Sequence, residues 1–167
     1  ELIEKEEPLV SSEKEEMRAV WVPYMSLDMS QTDGSYLTFQ KKFDEIIALA
    51  KEKGMNALIV HVRPFSDALY PSDYFPWSHI LTGSQGIHPG YDPLAYMVEA
   101  THEAGVEFHA WVNPLRIQTK ETPAQLSPQN FGLKWQAIPE KLDYVLKYQG
   151  GLYYNPAYPE VRTLIAD

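Results

Sequence analysis

The sequence predicts an α/β fold, the amino-terminal part of a (β/α)8 TIM barrel with long loops after the strands. Three observations point there. First, three continuous apolar runs, at residues 18–22, 56–63 and 106–113, read as strands buried on both faces, as in parallel sheets. Second, amphipathic helical stretches alternate with them, and the order βαβαβ favours a parallel sheet with right-handed crossovers. Third, the segments after the strands are long, 28 residues from Pro64 to Tyr91 and 22 from Pro114 to Trp135, whereas those before them are as short as Gly54-Met55. A barrel carries its site at the carboxyl ends of its strands, and a doubly wound open sheet obeys a similar rule.

Taken in order, residues 1–16 hold seven glutamates and two lysines and so carry −5 of the −9 net charge. They read as an acidic, solvated linker, and residues 17–167 as the domain. After the first strand, Phe39, Phe43, Ile46, Ile47 and Ala50 share one helical face, and Gly54 stops the helix. The second strand runs to Arg63. The second helix opens with Asp92 as N-cap and Pro93 at its first position, and Gly105 closes it before the third strand. Farther on, residues 144–148 and 152–154 read as a hairpin joined by Gln149-Gly150-Gly151. A last helix starts near Pro159, with Val161, Leu164 and Ile165 on one face. A complete barrel typically takes about 250 residues, so with three barrel-type strands the domain is expected to be incomplete at its carboxyl end.

The composition excludes several classes of function. Hydrophobic residues at 44% and charged residues at 22% are ordinary for a globular domain, and no apolar run approaches the roughly 20 residues of a membrane span. There is no basic patch for nucleic acid. There is no cysteine, so disulfides and thiolate chemistry are excluded. No H-x-H or H-E-x-x-H spacing suggests a metal site, and no cofactor motif is present.

Side chains alternate along a strand. His61 and Arg63 therefore share a face opposite Val60 and Val62, and His109, Trp111 and Asn113 share one opposite Phe108, Ala110 and Val112. If helices cover the aliphatic faces, the polar faces point inward, with Arg63 and Asn113 at the rim of the site. His61 and His109 read either as paired core histidines or as site residues. For Arg63 the choice lies between a structural salt bridge, to Asp67 or Asp92, and a guanidinium that binds substrate oxygen or orients a carboxylate. The loop from Phe65 to Trp77 is dense in aromatics. It suits either a sugar cleft or a loop packed on itself. Asp67 and Asp73 are possible acid/base groups or turn formers, Asp92 is a cap, and Asp28 is ambiguous.

The stretches "GMNALIVHVRPFSDALYPSDYFPWSHILTG", "GYDPLAYMVEATHEAGVEFHAWVNPLR" and "YYNPAYPEVRTLI" resemble the bacterial glycosyl hydrolase-like family 10. The series R-P-x-x-D-A-L-Y, P-W-S, L-T-G, D-P-L, A-W-x-N-P and N-P-x-x-P-E-V-R carries the resemblance across residues 17–167. It implies a secreted or lipid-anchored envelope protein with a (β/α)8 barrel that acts on a bacterial polysaccharide, in particular peptidoglycan glycan strands. It implies a cleft lined by Arg63, Asp67, Trp111, Asn113 and Arg116, with Trp77 and Asn155 as looser assignments. Asp67 would be a supporting residue. The catalytic carboxylates would lie in an acidic stretch that follows the last helix, so residues 1–167 alone are expected to be inactive. His61, Ser66, Leu115 and Ala19 depart from the family's usual Gln, Gly, aromatic and Gly. Two alternatives stand beside this reading: a barrel that binds glycans without cleaving them, and a metal-dependent deacetylase or amidohydrolase using His61 and His109.

Overall fold

The computed structural model describes residues 16–120 and 122–166. The acidic segment expected at residues 1–16 lies outside the described residues except for Glu16. Three parallel strands, β1 (Ala19–Val22), β2 (Ala57–Arg63) and β3 (Glu107–Val112), form a sheet in the order β1-β2-β3. The strands start one residue later than the apolar runs, and β3 stops before Asn113.

Helices α1 (Tyr36–Glu52) and α3 (Pro93–Glu103) form as their end signals require. Ser35 caps α1 by accepting from the Thr38 amide, and Asp92 caps α3 by accepting from the Ala95 amide at 3.1 Å. Both helices press their apolar stripes on one sheet face. Phe39, Phe43, Ile47 and Met97 are buried in one cluster with Val22, Leu58, Val60 and Val62. This cluster is the main core, and fixing the aliphatic face here turns Trp21, His61 and Trp111 to the other side.

Among the described residues β2 is buried on both faces, whereas β1 and β3 each pair with one strand, β2; Trp21 of β1 is 59% exposed and Val112 of β3 is 41% exposed.

A second sheet contains the expected hairpin and one strand, β4 (Arg116–Gln118), that had no signal in the sequence. It is antiparallel in the order β4-β6-β5, with β5 (Val145–Tyr148) and β6 (Gly151–Tyr154). The hairpin turn is tighter than expected. Tyr148 pairs with Gly151, and the two residues between them, Gln149 and Gly150, both have positive φ, at 49° and 81°. That is the backbone a two-residue hairpin favours, because it matches the strand twist. Gly151 belongs to β6, where a side chain would meet the Gln118 carbonyl at 2.8 Å.

The two long loops also contain structure. Short helix α2 (His79–Thr82) lies in the first, and α4 (Phe131–Gln136) begins inside the second. Helix α5 (Pro159–Ala166) buries Val161 and Leu164 in a second core with Phe75, Ile117, Trp135 and Tyr154. No helix among the described residues is long and apolar enough to cross a membrane.

Candidate functional site at the carboxyl ends of the parallel strands

The register places His61 of β2 beside Trp111 of β3, on the face away from the helices. Their rings stack with centroids 3.6 Å apart and planes at 9°, and Trp21 of β1 meets Trp111 edge-on at 4.9 Å. Three adjacent strands thus contribute one aromatic row, open to solvent at Trp21. His61 is 1% exposed and neither ring nitrogen has a hydrogen-bond partner among the described residues. Burial, reinforced by the positive charge of Arg116 and opposed by Asp67, lowers its pKa to about 4, so the ring is neutral near pH 7. His109, two residues before Trp111 on β3, has its Nε2 3.0 Å from the Glu107 carboxylate at the surface.

At the strand ends the predicted site residues separate into two groups. Asn113, Arg116 and Trp111 stay together and half-buried. Trp111 Nε1 donates to Asn113 Oδ1 at 3.2 Å, while Asn113 Nδ2 and Arg116 Nε both donate to the Pro64 carbonyl, at 3.2 and 2.9 Å. The Arg116 guanidinium also lies 4.7 Å from the centre of the Phe65 ring. Trp77 sits farther along the first loop, edge-on to His88. Asn155 serves the hairpin, donating to the Asp143 carbonyl.

Arg63 and Asp67 form the buried group, and they are not paired with each other. Both salt bridges considered for Arg63 are corrected by the structure. Its guanidinium stacks 4.4 Å over Phe75 and donates to the Ile165 carbonyl of α5 at 3.4 Å. Asp92 is occupied as the α3 cap. Asp67, wholly buried, turns its Oδ2 to His79 Nδ1 and Gln85 Nε2, each at 3.1 Å. Asp28 accepts from the Ser30 amide in a local turn, and Asp73 is exposed.

The aromatic loop divides in the same way. Phe65 and Phe75 are buried in the packing, while Tyr74 is 41% exposed. Ser66 shares a short hydrogen bond with Tyr154, whose hydroxyl burial pushes up to about 12.

Sequence reasoning missed Gln85, Asn130 and Ser127. Gln85 Oε1 accepts from the Ser127 amide at 2.9 Å and from Asn130 Nδ2 at 3.1 Å. Asn130 Nδ2 also donates to the Ser66 carbonyl at 3.0 Å. The loop after β2 is thereby joined to the loop after β3 through fully satisfied buried amides. One signal was present, Gly86. It has φ of 92°, and a Cβ there would stand 2.6 Å from Ser127 Oγ, so the two loops approach too closely for a side chain.

Residues 16–167 match the profile of the family described as glycosyl hydrolase-like 10. The chain is 41% identical over 152 residues to glycosyl hydrolase YngK of Bacillus subtilis (strain 168), covering 90% of this chain and 29% of that protein. It is 30% identical over 151 residues to glycosyl hydrolase DigH of Escherichia coli (strain K12), covering 89% of this chain and 34% of that one. The DigH of Shigella flexneri matches to the same degree. The chain therefore spans about a third of the length of the curated relatives it matches.

Proposed function

The chain belongs to the glycosyl hydrolase-like 10 family, and on that premise we propose that the protein is a glycosidase acting on peptidoglycan glycan strands outside the cytoplasmic membrane. The parallel sheet is the start of a (β/α)8 barrel in this reading, and the ends of β2 and β3 form part of its mouth. The observation that supports the reading is the row Trp21, Trp111 and Asn113, a partly exposed aromatic surface ending in a half-buried amide. Aromatic faces pack on the C–H faces of sugar rings, and the adjacent amide and the Arg116 guanidinium suit hydroxyl and acetamido oxygens.

Hydrolysis needs one carboxylic acid to protonate the leaving oxygen and a second carboxylate as nucleophile or base. Asp67 is too deeply buried to reach a glycosidic bond, so we give it a positioning role. The acid and its partner belong, in this proposal, to the family's acidic stretch that follows α5. Purified peptide-free glycan strands incubated with the intact protein are expected to yield shorter strands with new reducing ends, read by reducing-end labelling and mass spectrometry. Strands that bind but emerge uncut would make it a glycan-binding barrel instead. Release of acetate with chain length unchanged would favour the deacetylase.

A further inference from the structure

The joined loops enclose a cleft of about 340 Å³, lined by His79, Gly83 and Gln85 from the loop after β2 and by residues 123–128 from the loop after β3. Both loops follow the carboxyl ends of parallel strands, the side on which α/β folds bind ligands. The cleft's volume is at the lower end of the roughly 300–1,000 Å³ usual for ligand pockets. Among the described residues, His79 is the one in its lining with an ionisable side chain.

The tautomer of that histidine is set by a directed chain of hydrogen bonds. It begins at a donor of fixed identity, the Gly132 amide in the first turn of α4, which donates to Asn130 Oδ1 at 2.8 Å. Asn130 must then present its NH₂ to Gln85 Oε1, a direction confirmed by the Ser127 amide donating to the same oxygen. Gln85 in turn presents its NH₂ to Asp67 Oδ2. That oxygen is already an acceptor, so His79 Nδ1 donates to it. Neutral His79 is therefore held as the Nδ1–H tautomer. Its Nε2 keeps a free lone pair on the edge of the ring away from Asp67, and 16% of the side chain is exposed. A carboxylate behind an imidazole fixes both its tautomer and its orientation.

We propose that this cleft is a sugar subsite in which His79 accepts a hydrogen bond from a substrate hydroxyl through Nε2, with Asp67 as its positioning residue. This rests on the glycan-directed reading above. It assigns specificity to a side chain that the loop's motifs left aside.

The test uses the intact protein. Two-bond ¹H–¹⁵N spectra are expected to show His79 with Nδ1 protonated and Nε2 bare, and the Nε2 resonance is expected to shift when soluble peptide-free glycan fragments are added. In the digestion assay, His79→Ala is expected to raise KM about tenfold, the loss of one hydrogen bond to a buried group, with kcat retained. His79→Gln, which keeps an acceptor at similar reach, should recover part of that loss. Asp67→Asn should mix the two tautomers while leaving the fold intact. An Nε2–H tautomer in the wild type, or a KM unmoved in His79→Ala, overturns the proposal. A glycan-induced Nε2 shift in a protein that cuts nothing sustains the subsite and overturns the hydrolase reading. Cleavage without that shift does the reverse, and neither cleavage nor a shift overturns both.

Discussion

Asp67→Ala is expected to destabilise the protein by about 3 kcal/mol, read as a lower urea midpoint at unchanged m-value. The carboxylate takes two hydrogen bonds at one oxygen, from His79 and Gln85, at full burial. Each such bond to a charged acceptor is worth roughly 1.5–3 kcal/mol, and truncation leaves the Gln85 donor buried and unpaired. One term opposes this. Asp67 Oδ1 is buried with no partner among the described residues, and removing it relieves that desolvation. The two bonds outweigh the one orphan, which sets the net figure. A loss of about 3 kcal/mol is a large share of the roughly 5–15 kcal/mol that holds a domain folded. The damage should fall on both loops, with amide exchange accelerated at Gln85 and Ser127 together, because Gln85 ties one loop to the other. A loss below about 1 kcal/mol, or faster exchange in the first loop alone, would show that the amides do not couple them.

His61 governs the second large effect, acid sensitivity. Its folded pKa is near 4 against an ordinary 6.5, mainly because burial penalises the cation. Between those values the unfolded chain binds a proton that the folded chain refuses. The stabilisation is therefore complete above about pH 6.5 and is lost as the pH falls towards 4. A depression of this size corresponds to about 3 kcal/mol. His61→Phe keeps a flat ring against Trp111 and Tyr24 and removes the titration. The wild type is expected to lose about 3 kcal/mol more than His61→Phe between pH 7 and pH 4, by urea denaturation at both values. The carboxylates titrate alike in both proteins and cancel in the difference. Equal losses in the two proteins would mean that His61 is protonated without cost in the fold.

Periodicity made most of the parallel layer legible. Helices α1 and α3 carry complete apolar stripes and explicit caps, and alternation in β2 correctly put His61 opposite Val60 and Val62. Elements too short to show a period were legible only where a turn marked them, as in the β5–β6 hairpin. Strand β4 is three residues long, held in its sheet by β6 from more than thirty residues away. The site divides on the same line. Register alone brought His61 and Trp111 together, because both lie within one pair of strands. Sequence spacing could not tell that Asp67 would answer His79 and Gln85 rather than Arg63, since loop geometry decides that choice. Nor does any pattern link Gln85 to Asn130, 45 residues apart. Arg63 shows why charge in a sequence is a weak guide to role. It ends a strand, as a substrate-binding residue would, and its guanidinium lies against Phe75 and the Ile165 carbonyl.

In the proposed function, glycan binds where β2 and β3 end, along Trp111 and Asn113 and into the cleft at His79. The measurement that tests it most directly is a crystal structure of the intact protein soaked with a peptide-free glycan tetrasaccharide. The expected density is one sugar ring packed against Trp111, with its polar groups on Asn113 or Arg116, and a neighbouring ring with a hydroxyl within hydrogen-bond distance of His79 Nε2. Sugar density on another face of the protein, with the Trp111 surface and the His79 cleft left bare, would contradict it.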